Sequence, residues 1–270
     1  MLAAMHAADL APAHDLDLLA DGKLHRYRTI YDKPGSKNAW YVLYPGQPAA
    51  GAFGSWRTGE SHTWQAAATR IDNPAQLAAQ RQQREHLNKL RLAEQAQVQA
   101  SARQRAARLW QQAHPASANH PYLQRKGIQA HGVRQLQQRL VVPARDAQGL
   151  LHTLQFIAPD GNKRFLAGGR TTGGYFAIGQ PMRRLLLAEG LATGCSLHAA
   201  TGDAVAVAFP CGNLLPVARA LRLKFPSLRL VLCADDDRHT PGNPGLHHAR
   251  AAAQAVGGWL AWPQFAGGET

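Results

Sequence analysis

The chain has 270 residues, of which 45% are hydrophobic, so it is long enough for one large domain or two smaller ones with buried cores. Its 30 Lys and Arg against 17 Asp and Glu leave a net charge of +13, which favours a polyanionic partner, nucleic acid ahead of an anionic membrane. The alternative is an ordinary basic protein from a GC-rich genome, which encodes Ala and Arg freely. The three cysteines are isolated in the sequence, which argues against a disulfide scaffold and a zinc site and favours the reducing cytoplasm. No apolar run of about 18 residues is present, so no membrane span is expected.

The N-terminal part of the sequence predicts a small β-rich module over residues 1–72. Residues 1–22 are Ala-rich and interrupted by acids, which indicates a short helix or a frayed start rather than a signal peptide. Between residues 23 and 65, runs such as LHRYRTIY and AWYVLYP alternate or cluster aromatic and β-branched residues on either side of a turn that contains Pro and Gly, as strands do.

A basic helical linker is predicted over residues 73–113. This stretch contains no glycine and has a proline only at its start, where Asn73-Pro74 is a good helix opening. Its apolar positions are too irregular for a coiled coil, and the sequence leaves open whether it forms one helix or a helical hairpin.

The remainder of the chain predicts an α/β region in two parts, residues 114–182 and 183–265. The first part contains strand patterns around a turn at Asp146–Gly149 and after Asp160–Gly161. In the second part, strand and helix patterns alternate, which is typical of a mostly parallel sheet flanked by helices. Sites in such sheets lie at the carboxyl ends of the strands.

Two acidic groups follow apolar strand patterns in this second part. Glu189 comes directly after LLLA, and Asp235 and Asp237 come directly after LVLCA. If the two strands are neighbours, the three carboxylates converge, and their mutual repulsion must be relieved by protonation or by a cation. Carboxylate oxygens in an open site suit Mg²⁺ or Mn²⁺, which bind substrate phosphates.

Each acid also has a plain structural reading. A Glu before Gly at a strand end is commonly a solvated cap, and an Asp cluster after a strand commonly caps the next helix. Asp236 lies between the two metal-ligand candidates, so we expect it to point away from a metal and to act as a cap or as a supporting group. The case for chemistry rests on finding both acidic groups at strand ends with a βαβ unit between them.

The motifs LLLAEGLATGCSL and LVLCADDD resemble the Toprim pattern, a Glu-Gly after one strand and an Asp-x-Asp after a later one. Bacterial DNA primases, type IA and II topoisomerases and OLD-type nucleases share this pattern. The preceding segment RLVVPARDAQGLLHTLQFIAPDGNKRFLAGG is similar to the one before Toprim in bacterial primases. Over residues 115–265 the sequence is most similar to the primase-like proteins of plasmids, phages and integrative elements.

The resemblance implies a Toprim-type sheet and Mg²⁺- or Mn²⁺-dependent synthesis of RNA primers. It implies that Glu189, Asp235 and Asp237 are the metal-binding and catalytic acids. It further implies that template or nucleotide phosphates are bound by residues of two groups, the basic positions Arg139, Arg145, Lys163 and Arg164 and the turn residues Asn243 and Gly245. The expected partners are single-stranded DNA, nucleoside triphosphates and a separate replicative helicase, with no membrane.

The sequence departs from cellular primases at its N-terminal end. Cellular primases begin with a zinc module, and no Cys/His cluster here would build one, so no zinc is expected. Residues 23–65 occupy that place with an interleaved set of aromatic and basic residues, which either stack on bases or form the core of a small β module. These residues are Tyr27, Tyr31, Trp40, Tyr41, Tyr44, Phe53, Trp56 and Trp64 with Arg26, Arg28, Lys33, Lys37 and Arg57.

Two alternatives to a primase remain at this stage. The same acids would serve a Toprim nuclease, and a degenerate primase module would serve as a non-catalytic single-stranded-DNA-binding protein. A topoisomerase is disfavoured because no catalytic tyrosine domain accompanies the pattern.

Overall fold

The computed structural model describes residues 1–46, 48–66, 74–237, 240 and 242–263. It divides into two compact units, residues 1–97 and 98–270, and the division falls inside one long helix. Within the described ranges, no helix is both long enough and apolar enough to cross a membrane.

The first unit contains an antiparallel sheet in which neighbouring strands follow one another along the chain. Its elements are α1 (Leu2–Ala7), β1 (Leu24–Tyr27), β2 (Ala39–Tyr44), β3 (Ala50–Ser55) and β4 (Ser61–Gln65), with strand order β1-β2-β3-β4. Tyr27, Tyr41 and Phe53 pack with α1 residue Met5 in the core. The predicted β-rich module is confirmed.

The predicted linker forms a single helix, α2 (Pro74–Gln112). Of the two alternatives that the sequence left open, one helix is therefore correct and a helical hairpin is not. The first part of α2 belongs to the first unit and its last part to the second. In the second unit Ala102 and Ala106 are fully buried, and Ala106 packs with Val141 and Leu154 of the sheet described next.

The second unit begins with an antiparallel sheet that contains the predicted strand pair. Its strands are β5 (His114–Pro115), β6 (Arg134–Leu136), β7 (Arg139–Arg145), β8 (Leu151–Ile157) and β9 (Lys163–Phe165), and a short helix, α3 (Pro121–Lys126), lies between β5 and β6. The β7–β8 turn is organised by Asp146, whose carboxylate accepts hydrogen bonds from the backbone N–H groups of Gln148 and Leu150.

The last part of the chain forms the predicted mostly parallel sheet. Its elements are β10 (Phe176–Ile178), β11 (Arg184–Ala188), α4 (Leu191–Thr201), β12 (Ala204–Val207), a 3₁₀ turn (Cys211–Asn213), α5 (Leu214–Lys224), β13 (Arg229–Cys233), α6 (Pro244–Val256) and β14 (Trp259–Ala261). The strand order is β10-β12-β11-β13-β14, and every pairing is parallel except that of β10 with β12.

Two hydrophobic cores cover the faces of this sheet. Leu186 and Val205 pack with α4 residues on one face, whereas Leu187 and Leu232 pack with α5 and α6 on the other. The alternation follows from the strand geometry, in which successive side chains point to opposite faces. The α/β fold class with a mostly parallel sheet flanked by helices is confirmed.

A candidate carboxylate centre at the ends of the parallel strands

The two acidic groups leave the sheet from neighbouring strands at the same edge. Strands β11 and β13 are parallel and in register, with Ala188 opposite Cys233. Glu189 follows Ala188 directly, and Asp235 follows Cys233 after one residue. The expectation that the acids converge depends on this pairing.

Glu189 is half-buried between the 3₁₀ turn and the other acids. Its carboxylate accepts a hydrogen bond from the backbone N–H of Cys211. Burial, followed by repulsion from Asp235 and Asp237, raises the pKa of Glu189 to about 7. A carboxyl group with such a pKa stays partly protonated at neutral pH unless a cation compensates its charge.

Asp235 faces the first turn of the helix that follows Glu189. The hydroxyl of Thr193 donates to Asp235 Oδ1 at 3.3 Å. Burial and repulsion from Asp237 raise the pKa of Asp235, while the Thr193 hydrogen bond and Lys163 oppose the shift. Two of the three acids therefore have pKa values raised by burial and by the other carboxylates.

Asp237 binds the start of helix α6. Its Oδ2 accepts a hydrogen bond from the backbone N–H of Gly245 at 3.1 Å. A side chain at Gly245 would clash, because an added Cβ atom would lie 2.6 Å from the Asp235 carbonyl oxygen and 2.8 Å from Asp237 Oδ2. Glycine is required here because residues 235–237, hereafter the acidic loop, approach it closely.

Asn243, which directly precedes α6, holds the acidic loop through two hydrogen bonds. Its Oδ1 accepts from the backbone N–H of Asp237 at 3.0 Å, and its Nδ2 donates to Asp236 Oδ1 at 2.8 Å. Asn243 holds the left-handed conformation with φ of 40°, which asparagine tolerates better than most residues. Its polar atoms therefore bind the loop itself, and Asp236 takes part in that bracing.

Lys163 provides positive charge beside the acids, and a second lysine, Lys126, lies near Lys163. Lys163 interacts electrostatically with Glu189 and Asp235. Although its side chain keeps much of its exposure, burial of the ammonium and repulsion from Lys126 lower the pKa of Lys163, and the two carboxylates oppose that shift. Lys163 was predicted from the sequence, whereas Lys126, in the last turn of α3, was not.

The donor chemistry of the three acids fits a divalent cation. They offer hard oxygen ligands and repel one another, and a cation would relieve that repulsion. In the described part of the chain, no three His, Cys, Asp or Glu side chains are already arranged to hold a metal ion. The acids thus form a partly buried carboxylate cluster whose side chains would have to turn towards a common cation.

The remaining predicted basic residues fall into two places. Arg139 and Arg164 are exposed and line one groove, with Phe156 and Asn162. Arg145 instead donates to the carbonyl oxygen of Gly149 at 3.0 Å and lies near the ring of Trp110. The structure brings Lys163, but not these arginines, into electrostatic contact with the acids.

Sequence reasoning missed Thr193 and the Cys211 amide. Thr193 had a usable signal, since it lies four residues after Glu189 in the first turn of a helix that starts at the same strand end. The Cys211 amide had none, because a backbone donor leaves no trace in residue type. Lys126 likewise has no distinguishing pattern in the sequence.

Comparison with known proteins relates this region and the rest of the chain to DNA primases. No family model matches the chain. A DNA primase TraC of Escherichia coli is 38% identical over 265 residues, which is 93% of this chain and 25% of the relative. A second protein with the same name and organism is 36% identical over 263 residues, 93% of this chain and 18% of that protein.

Among solved structures, that of the DnaG primase catalytic domain bound to ssDNA has a TM-score of 0.44 and 14% identity, over 66% of this chain and 74% of that one. In the comparison with the two TraC primases, the chain spans a quarter or less of the length of each relative. The resemblance to primases of mobile elements is confirmed at the level of sequence: the chain is a homologue of one segment of the TraC DNA primases, matched over 93% of its own length.

Proposed function

We propose that this chain carries the catalytic centre of a primase-type nucleotidyltransferase, which synthesises short RNA primers on single-stranded DNA during the replication or transfer of a mobile element. The observation that carries the proposal is the 38% identity to a primase along 93% of the chain, which includes the strand ends with Glu189, Asp235 and Asp237. Repulsion among three neighbouring carboxylates destabilises a fold, so such a cluster is expected where it binds a cation.

In this proposal Glu189, Asp235 and Asp237 hold Mg²⁺ or Mn²⁺. The cation would neutralise the triphosphate, lower the pKa of the attacking 3′-hydroxyl and stabilise the leaving pyrophosphate. Without it, the pKa of Glu189 near 7 means that the carboxylates compete for a proton at neutral pH.

The protein's own groups orient this centre. The Thr193 hydroxyl fixes one oxygen of Asp235, and the Gly245 amide fixes one oxygen of Asp237. Asn243 holds the backbone of the acidic loop, and we assign it a positioning role in addition to the phosphate contact expected from the sequence.

The basic groups around the acids would bind the polyanions. Lys163, which interacts electrostatically with Glu189 and Asp235, and its neighbour Lys126 would neutralise the triphosphate of an incoming nucleotide. Arg139 and Arg164, which are exposed, would bind template phosphates. A separate helicase would supply duplex opening.

The test is a primer-synthesis assay with single-stranded DNA, four nucleoside triphosphates of which one is radiolabelled, and Mg²⁺ or Mn²⁺. The variant is Asp235→Asn with Asp237→Asn. The chain offers a matched control, Asp15→Asn with Asp17→Asn, which has the same spacing and charge change at exposed positions in the other unit.

Short labelled products from the wild type and the control, but not from the variant, are expected. Products from all three proteins would contradict the assignment of the acids. DNA that is degraded only when the acids are intact would point to a nuclease instead, and bound, intact DNA without products would point to an accessory protein.

A further inference from the structure

A groove in the first unit combines an aromatic sheet surface with arginines. It measures about 640 Å³ and lies between the face of β1–β3 and the first part of α2. The sheet contributes Leu24, Trp40, Val42, Tyr44 and the small residues 50–52, and the helix contributes Arg81, Arg84, Glu85, Asn88 and Arg91. None of these residues takes part in the carboxylate centre.

The sheet side of the groove presents aromatic rings at regular positions. Trp40, Val42 and Tyr44 alternate along β2, so they share the face opposite to Tyr41 and Leu43, which lie in the core. Trp40 and Tyr44 are half-buried. They lie about 14 Å apart along the strand, from a rise of about 3.4 Å per residue.

The aromatic surface continues past the groove. The ring of Trp56, which is 46% exposed, lies 6.1 Å from that of Trp40. The Arg26 guanidinium lies 4.7 Å from the Trp56 ring centre and is held there by hydrogen bonds to the Lys37 carbonyl oxygen.

Trp40 packs closely against a glycine of the neighbouring strand. Gly54 pairs with Trp40 across β2 and β3, and an added Cβ atom would lie 2.9 Å from Trp40 Cζ2. The indole therefore packs against the glycine backbone, and Trp40 as a whole stays half-buried.

The helix side of the groove is positively charged. Its five residues follow the spacing of one helix face, and they comprise three arginines against a single acid, Glu85. Arg81 and Arg84 are exposed. Arg91 donates to Asn88 at 3.0 Å, while its buried Nε finds no hydrogen-bond acceptor among the described residues.

We infer that this groove binds single-stranded DNA, with bases stacked on Trp40, Tyr44 and Trp56 and phosphates paired with Arg81, Arg84 and Arg91. Flat aromatic surfaces beside a basic helix suit a strand whose bases are unpaired and whose backbone is charged. The choice of DNA as the polymer rests on the proposed function, whereas the site itself does not depend on the carboxylate centre.

The test measures the binding of the full-length chain to fluorescein-labelled oligo(dT) by fluorescence anisotropy in EDTA, at several salt concentrations. Arg81→Ala with Arg84→Ala should weaken binding about tenfold and reduce the slope of log K against log salt by about 1.4, because each phosphate contact on a single strand contributes about 0.7. Lys89→Ala with Arg219→Ala removes the same charge from exposed helix positions outside the groove and should change the slope by clearly less.

A second variant tests stacking separately from charge. Trp56→Leu alters an exposed side chain, so the fold is retained, as circular dichroism would verify. It should weaken binding by about tenfold and leave the salt slope unchanged. Equal binding by the groove variants and the control pair would overturn the inference. The binding measurement in EDTA does not depend on catalysis. If the wild type fails in the primer-synthesis assay but binds oligo(dT) with this pattern of variant effects, the proposed function is refuted and the groove inference stands.

Discussion

The Glu189 carboxyl group is held in the folded protein at an electrostatic cost. Burial and two neighbouring carboxylates raise its pKa to about 7, from an ordinary value of 4.5. A raised acid pKa means that the folded state binds the proton more tightly than the unfolded state does. Its share of stability is therefore complete below about pH 4.5 and is lost as the pH rises through 7.

We expect Glu189→Gln to stabilise the metal-free protein at pH 8.5 by on the order of 1 kcal/mol, allowing for solvent screening of a half-buried group. At pH 4.5 the gain should vanish, because Glu189 is protonated there. Chemical denaturation in EDTA at both pH values measures this, with Glu60→Gln as an exposed control. An equal gain at both pH values would mean that the substitution acts through packing rather than charge.

Arg145 and the pair Arg139 and Arg164 look alike in the sequence but differ in their contacts. The Arg145 guanidinium lies 5.9 Å from the Trp110 ring centre and donates to the Gly149 carbonyl oxygen. We expect Arg145→Ala to lower the free energy of unfolding by about 1 kcal/mol.

Substitution of the two exposed arginines, Arg139 and Arg164, should affect DNA binding rather than stability. We expect Arg139→Ala and Arg164→Ala to leave stability nearly unchanged and each to lower the salt slope of single-stranded DNA binding by about 0.7. Denaturation and salt-titrated anisotropy on the same three variants separate the two roles. A salt slope reduced equally by Arg145→Ala would show that Arg145 also contacts phosphate.

At the scale of elements, helix α6 and the acidic loop fit together at one glycine. In an open helix position, Gly→Ala stabilises by about 1 kcal/mol. At Gly245 the added methyl group would meet Asp235 and Asp237 oxygens at 2.6 and 2.8 Å, so we expect Gly245→Ala to destabilise the protein and to weaken Mg²⁺ binding severalfold.

Calorimetric titration of Mg²⁺ and thermal unfolding would measure both effects of Gly245→Ala. Gly190→Ser is a suitable control for stability. Among the described residues, only Thr193 Oγ1 lies near an added Cβ at this position, at 3.8 Å, and serine caps helices well. Stabilisation by Gly245→Ala would mean that the loop moves aside at little cost.

The elements that position the acids were predictable from the sequence because their patterns are long. LLLA and LVLC are short apolar runs next to charged residues or glycine, and both are buried on the two faces of the sheet. This pattern is typical of parallel strands, so β11 and β13 could be predicted. Strand β10 was not predicted, since three residues carry no period. Its place depends on pairing with β12, which residue type does not encode.

The site was predictable only where side-chain type carries its chemistry. The three acids and Lys163 were named from the sequence, and they interact in the structure. The bracing role of Asn243 was not foreseen, because it depends on a left-handed backbone that places its amide between Asp236 and Asp237. An asparagine at a turn has the same appearance in the sequence whether it binds phosphate or supports a loop.

At the scale of the molecule, the hydrophobic clusters are separate for the two units. The cluster around Tyr41 and Phe53 draws only on residues of the first unit, and the clusters that contain Leu187, Ile157 and Leu154 draw only on residues of the second. Each unit therefore has the apolar core that independent folding requires.

The second unit also begins with a packed helical segment. Val98 lies against Gly168, where an added Cβ atom would approach it to 2.8 Å, and Ala102 and Ala106 are buried further along α2. A fragment of residues 98–270 thus starts with side chains that are anchored to its own sheet.

We expect the fragment 98–270 to unfold cooperatively and to bind Mg²⁺ as the full chain does, because all three acids and their supports lie within it. Its affinity for oligo(dT) should be lower, with a smaller salt slope, because the groove of the first unit is missing. Thermal unfolding, calorimetry with Mg²⁺ and anisotropy on the fragment and the full chain measure the three properties. A fragment that folds but binds DNA as tightly as the full chain would place all of the DNA-binding energy in the second unit, whereas an unfolded fragment would mean that the separate cores are not sufficient.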